Sequence, residues 1–297
     1  MGEAWFMTEK RRTFDTLLGD LNVVPFSEIA YALGEITSGT GSFGPNQEWT
    51  EWYHYLLAHL VHRANESLAF ESLLELFISG FIAIYPRGIS GPKYAGFAED
   101  VMATLGRSLM AADRWHGGQI VAGSILQRHR NPKTGIWGWY DASGDFSASM
   151  VFHIKYVPLD SLQPWLQSVL AIDSPHWRAQ VLVWFVGARR LLIDENVFPA
   201  DLESSSKSDE SGYGPDVGWG WSHALRKEAF DTGDAQVDRN TFLSREVRMV
   251  VLDTLKAHFS TPVFETWLSS IASVDYLEAE LANIPFTFWE QYGTKST

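Results

Sequence analysis

Apolar residues recur at intervals of three and four along most of this chain, the spacing that gathers side chains on one face of an α-helix. Between residues 48 and 64, EWTEWYHYLLAHLVHRA, the set Trp49, Trp52, Tyr53, Leu56, Leu57, Leu60 and Ala64 defines an amphipathic helix with a wide buried stripe. Phe26, Ile29, Ala30, Leu33 and Ile36 repeat the pattern behind Ser27, a residue type that caps helix starts, as do Phe97, Val101, Leu105 and Leu109. Asp173-Ser174-Pro175 and Ser260-Thr261-Pro262 each set a capping side chain before a proline, which suits the first helical position. The run VLVWFV, 181 to 186, has the apolar continuity of a buried strand, but it lies inside the capped stretch that reaches Leu192 and is read as helix.

About a dozen helical segments and no series of alternating strands predict an all-α protein, with residues 1–297 forming a single helical domain. Internal similarity refines this. WLQSVLAID (165–173) and WLSSIASVD (267–275) align without gaps, matching Trp165 with Trp267, Leu166 with Leu268, Ser168 with Ser270 and Asp173 with Asp275. Each has the look of the second helix of a repeated hairpin. Two arrangements are open: a right-handed helical-hairpin array, an α-α superhelix of the HEAT or armadillo type, or a large irregular helical bundle. DLESSSKSDESGYGPD, 201 to 216, breaks the pattern; rich in serine and acid and nearly without apolar groups, it is expected to be a mobile loop within the domain.

Leu68 to Tyr85, LAFESLLELFISGFIAIY, raises the question of a membrane span, but Glu71 and Glu75 interrupt it, and a core helix surrounded by others explains it better. The start, MGEAWFMTEKRR, lacks the apolar stretch of a signal peptide, and Phe6 stands where a myristoylation signal needs Ser or Thr, so a cytoplasmic location is expected. With no cysteine in 297 residues, disulfides, thiolate metal sites and a cysteine nucleophile are excluded together. The formal net charge of -13 argues against nucleic acid and against an anionic membrane surface as partners, and favours a basic protein partner.

Candidate chemistry is sparse. Gly39 to Gly44, GTGSFG, spells G-x-G-x-x-G but follows a helical pattern where the dinucleotide fingerprint needs a strand, so it is read as a flexible loop between helices. No P-loop, G-x-S-x-G or H-E-x-x-H motif occurs, and no cofactor is expected. His59, His62 and Glu66 share a stripe with Glu51 and Tyr55 on the polar side of the first tryptophan helix; two imidazoles and a carboxylate at that spacing suit a divalent metal, although a solvated helix face reads the same way.

The motif W-G-W occurs twice, at Trp137-Gly138-Trp139 and Trp219-Gly220-Trp221. In extended chain, residues two apart point the same way, so each pair can present two indoles side by side, with glycine leaving room for a ligand. Asp141 and Asp145 follow the first copy, Asp231 and Asp234 the second, while Asp216 precedes the second and His223 closes it. Stacking tryptophans with paired carboxylates suit a carbohydrate-active hydrolase or lyase, with Asp141, Asp145, Asp216 and Asp234 as candidate acids. Against this, tryptophans also plug helical cores, and GPDVGW (214–219) resembles GPNQEW (44–49), which leads into a helix, so WGWSHALRKEAF also reads as helical turns on which the pair would diverge. The core-plug or helix-start reading takes precedence. The function expected is that of an acidic helical-repeat protein that binds a basic partner through a concave or aromatic-rich surface, as an inhibitor or immunity-type protein would, with no catalytic residue assigned; the carbohydrate-active enzyme is the alternative.

Overall fold

The structure, a computed structural model, describes residues 14–44, 47–64, 66–68, 71–89, 93–106, 115–116, 119–120, 129–130, 137–138, 144–202, 215–230, 241–274 and 284–294. Helix α1 (Phe26–Phe43) starts behind Pro25, one residue before the expected cap Ser27, and buries Ile29, Leu33 and Ile36 as the spacing predicts. It also runs straight through Gly39-Thr40-Gly41-Ser42, the stretch expected to be a loop. The correction has a packing cause: a Cβ at Gly39 would lie 2.7 Å from the Trp49 ring, and one at Gly41 3.1 Å from the Ala224 carbonyl. Gly44 ends the helix, with a φ of 80° that suits glycine and an N–H that donates to the Thr40 carbonyl.

Helix α2 (Gln47–Leu60) buries Trp49, Trp52, Tyr53, Leu56, Leu57 and Leu60. It gives way to a 3₁₀ turn, Val61–Arg63, so Ala64 lies beyond it. Helix α3 (Leu73–Ile84) is buried at every position. Its twelve residues are the heart of the apolar segment, and no helix among the described residues is long and apolar enough to cross a membrane. Ser72 caps it, accepting from the Glu75 N–H at 3.2 Å.

Beyond the short α4 (Phe97–Thr104) come α5 (Gly144–Tyr156), α6 (Leu159–Leu170), α7 (Pro175–Gly187), α8 (Arg189–Ile193), α9 (Lys227–Phe230), α10 (Arg245–His258), α11 (Thr261–Ala272) and α12 (Ile284–Tyr292). VLVWFV is helical, within α7, which has Ser174 as cap and Pro175 at its start. Ser260 stands at the start of α11 but makes no side-chain capping bond, and proline supplies the preorganised φ there. Among the described residues the only strands are three two-residue antiparallel ladders.

The protein is all-α, an irregular bundle around one continuous cluster of buried side chains running from Phe14 to Tyr292. Helix α3 packs between α1 and α5, while α10 lies across α6, and α7 meets both α11 and α12. Neighbours are thus often distant in sequence, whereas a solenoid repeat contacts the repeats next to it. The matched segments do fall alike: Trp165 and Trp267 are each the seventh residue of their helix, and each helix follows another across a two-residue link. Their burial differs, since Trp267 is buried and Trp165 half-buried, with its ring stacked on His153 at 4.7 Å.

Candidate functional site

Residues 215–219 form neither helix nor strand, yet Pro215, Val217 and Trp219 are buried. Buried backbone without a ladder must find its partners among side chains, and here α3, α5 and the segment's own Asp216 provide them. Asp216 Oδ1 accepts from the Gly218 N–H at 2.9 Å, closing a local turn. The Val217 carbonyl accepts from Ser147 Oγ of α5, which itself accepts from Trp184 Nε1 of α7 at 3.0 Å. On α3, Ser79 Oγ accepts from Trp219 Nε1 and donates to the Gly220 carbonyl, both at 2.9 Å. One turn earlier, Glu75 Oε2 accepts from the Gly220 N–H at 2.6 Å. The segment is a strap, fastened to α5 through Val217 and to α3 through Trp219 and Gly220.

Glycines make the room. A Cβ at Gly187, the end of α7, would stand 2.6 Å from Val217, and one at Gly144, the start of α5, 2.4 Å from Glu75 Oε2. Glu75 is 2% exposed and stands in the first turn of α3, where acidic side chains are favoured. Beside it Ser72 Oγ donates to Asp145 Oδ1, so the starts of α3 and α5 are joined through one hydroxyl.

The two indoles of the second W-G-W go to different helices. Trp219 turns to Ser79 on α3, while Trp221 lies against α1, where a Cβ on Gly34 would be 2.3 Å from its ring. Trp221 adopts φ 65°, a left-handed conformation that costs a residue with a side chain about 1–2 kcal/mol. The Ser222 N–H bonds back to the Trp219 carbonyl at 2.9 Å and a 3₁₀ turn, Ser222–Ala224, follows; regular helix begins only at Lys227, so the helix-start reading fails for the tryptophans and the core-plug reading holds for Trp219. His223 is exposed, its ring 5.2 Å from that of Trp221. In the first copy, Trp137 and Gly138 pair with Arg130 and His129 in a short ladder. Trp139, Asp141, Asp231 and Asp234 lie outside the described residues, as does most of the expected loop at 201–216. The ends of that stretch are ordered chain: Leu202 is buried in a 3₁₀ turn, Pro199–Leu202, and Asp216 belongs to the strap.

The histidine stripe is not assembled into a metal site. Helix α2 ends before His62, the Glu66 carboxylate is taken by the Arg63 guanidinium at 2.7 Å and 2.8 Å, and His59 packs on Tyr55 with ring centroids 4.8 Å apart. Among the described residues no group of three metal-ligating side chains occurs.

Two polar clusters escaped the sequence reading. His153 is buried against Trp165 with Nδ1 2.9 Å from the Ser149 carbonyl, and burial pulls its pKa down to about 4 despite that bond and one to the Gly106 backbone. His54 Nε2 lies 2.7 Å from the Tyr85 hydroxyl, and burial, helped by Lys93, lowers its pKa to about 4. The Tyr85 carbonyl accepts from the Tyr156 hydroxyl at 2.8 Å, and burial raises Tyr156 well above the usual phenol range. Lys155 Nζ donates to the Phe242 carbonyl at 2.8 Å and sits 4.1 Å from that ring's centroid; burial lowers its pKa to about 7. Each group bonds to backbone or to a neighbouring ring, the signature of a packed interior.

No family model matches the chain, and no curated protein or solved structure matches it.

The sequence carries one further signal. From Phe14 to His62 there is no lysine or arginine, while Asp15, Asp20, Glu28, Glu35, Glu48 and Glu51 all fall there. That stretch builds α1 and α2.

Proposed function

We propose that the protein binds a basic protein partner, and that its job is recognition rather than catalysis. The observation that carries this reading is the cation-free stretch from Phe14 to His62, which gives α1 and α2 carboxylates of one sign. A one-signed surface attracts an oppositely charged partner, speeds encounter and makes binding sensitive to salt. The net charge of -13 reinforces it. A protein that masks a cationic effector, as an immunity protein does, is the concrete form of the proposal. Binding is further favoured over carbohydrate cleavage because Asp216 and Asp145, two of the candidate acids, serve to hold neighbouring chain.

Native mass spectrometry on the protein gently purified from its own host at low salt tests the proposal. A co-purifying basic protein that dissociates as salt rises is the expected result. A protein that carries no partner, or only a small-molecule adduct, overturns it.

A further inference from the structure

The 3₁₀ turn Asp15–Leu18, the link after it and the first turns of α1 expose apolar side chains. Leu18 is 54% exposed, Val23 76% and Tyr31 53%. Beside them lies a cavity of about 260 Å³ lined by Phe14, Thr16, Leu17, Ser27, Glu28 and Tyr31. That volume falls below the roughly 300–1,000 Å³ of small-molecule pockets and is the scale of one large side chain. Its floor is firm: Phe14 and Leu17 are buried, with the Phe14 ring 5.1 Å from that of Trp52 on α2.

The backbone around the cavity is held from outside. Tyr55 donates its hydroxyl to the Leu17 carbonyl at 3.2 Å, and Arg63 Nη1 donates to the carbonyls of Leu21 at 2.7 Å and Val24 at 3.1 Å. The exposed side chains are therefore presented by a preorganised segment, which lowers the entropy lost on binding. The Arg63 charge is matched by Glu66, and Glu28 is the one charged residue among those that line the cavity.

We infer that this cavity is the docking point for the basic partner, receiving one apolar side chain of a segment that carries arginine or lysine beside it. The inference rests on the binding proposal above and locates it. The apolar anchor fills the cavity against Phe14, Leu17 and Tyr31, its flanks cover Leu18 and Val23, and the neighbouring cation meets Glu28. Charge complementarity selects the partner: Glu28 stands on the cavity wall and the chain carries a net charge of -13.

The test is titration of the full-length protein with a synthetic peptide holding one leucine between two arginines in a glycine-serine background, followed by amide NMR shifts up to millimolar peptide. Its control carries glutamates in place of the arginines. Shifts confined to residues around the cavity are expected with the first peptide and not with the second. Tyr31→Ala should weaken binding about tenfold, as loss of an anchoring tyrosine does, and Glu28→Lys about threefold at low salt, with the salt dependence reduced. Both side chains are exposed, so the variants keep the fold, which their amide spectra verify.

Equal binding by wild type and both variants, or none by wild type, overturns the inference. So does binding that appears only when Lys10, Arg11 and Arg12 are changed to serine, since the chain's own cations would then hold the site. Self-association lost in Tyr31→Ala would identify a second copy as the occupant and overturn it too. If a basic partner found by mass spectrometry binds Tyr31→Ala and Glu28→Lys undiminished, the docking point falls while the binding proposal stands. If no basic partner exists, both fall.

Discussion

Ser79→Ala tests whether the strap is fastened as described. The Ser79 hydroxyl is fully buried and satisfies two groups, accepting from Trp219 Nε1 and donating to the Gly220 carbonyl, each at 2.9 Å. Alanine removes one oxygen and leaves the methylene, so packing changes little, but both strap groups lose their partner. A buried polar group left unpaired costs about 1–3 kcal/mol. With some relaxation of the strap, about 2–4 kcal/mol of destabilisation follows for the pair. Trp219→Phe removes only the donor, since Ser79 still donates to Gly220, and should cost about 1–2 kcal/mol, including the lost ring area.

The double variant separates the hydrogen bond from its surroundings. If Ser79 and Trp219 interact as described, Ser79→Ala costs less once the indole donor has gone, so the double variant falls short of the sum by about 1 kcal/mol. Urea unfolding followed by circular dichroism measures all three, with equal slopes required for comparison. A Ser79→Ala cost below about 0.5 kcal/mol, or strict additivity, would refute the fastening and return Trp219 to the status of an ordinary core ring.

Gly34→Ala places a methyl 2.3 Å from the Trp221 ring and should cost about 1–3 kcal/mol in the same assay; a stability equal to wild type would show that Trp221 does not lie there. Ser147→Ala unpairs Trp184 Nε1 and the Val217 carbonyl, and should resemble Ser79→Ala in size. His153 has a folded pKa near 4, below its unfolded value of about 6.5, so the unfolded chain binds the extra proton between those limits. Stability from this group is complete above about pH 6.5 and is lost as pH falls toward 4, by about 2 kcal/mol between pH 7 and 5. His153→Gln should flatten that part of the urea-midpoint profile, and an unchanged profile would place His153 in contact with water.

Much of the bundle follows from periodicity because its helices satisfy local and tertiary demands together. The stripe Trp49 to Leu60, the capped start at Ser174 and the largely apolar α3 each ask for helix by their own pattern and are buried as that pattern requires. Gly39-Thr40-Gly41 breaks the agreement. A glycine in a helix costs about 1 kcal/mol relative to alanine, which is why the stretch reads as a loop. The compensation is tertiary, the Trp49 ring seated on Gly39 and the Ala224 carbonyl on Gly41, and neither partner is visible in the local sequence. The matched tryptophans show the opposite failure: Trp165 and Trp267 share a helix position, but His153 stacks on one while Phe259 meets the other at 4.8 Å, so likeness in sequence did not carry over into likeness of burial.

The strap was hidden for a related reason. Ser72-Leu73-Leu74-Glu75 is the S-x-x-E of a capping box, whose glutamate ordinarily turns back to its own helix start. Here that carboxylate reaches Gly220, 145 residues away in sequence. In the same way W-G-W has the features of a ligand clamp because a clamp and a strap use the same physics: an indole N–H that seeks an acceptor, and a glycine that lets another surface approach its backbone. What separates the two is whether the acceptors belong to a bound molecule or to the protein's own helices. For Trp219 and Gly220 they are Ser79 and Glu75, one turn apart on a helix whose other residues are nearly all apolar. Two polar positions within so apolar a helix are the trace that the strap leaves in the sequence, and they mark the place where an irregular segment must enter the core.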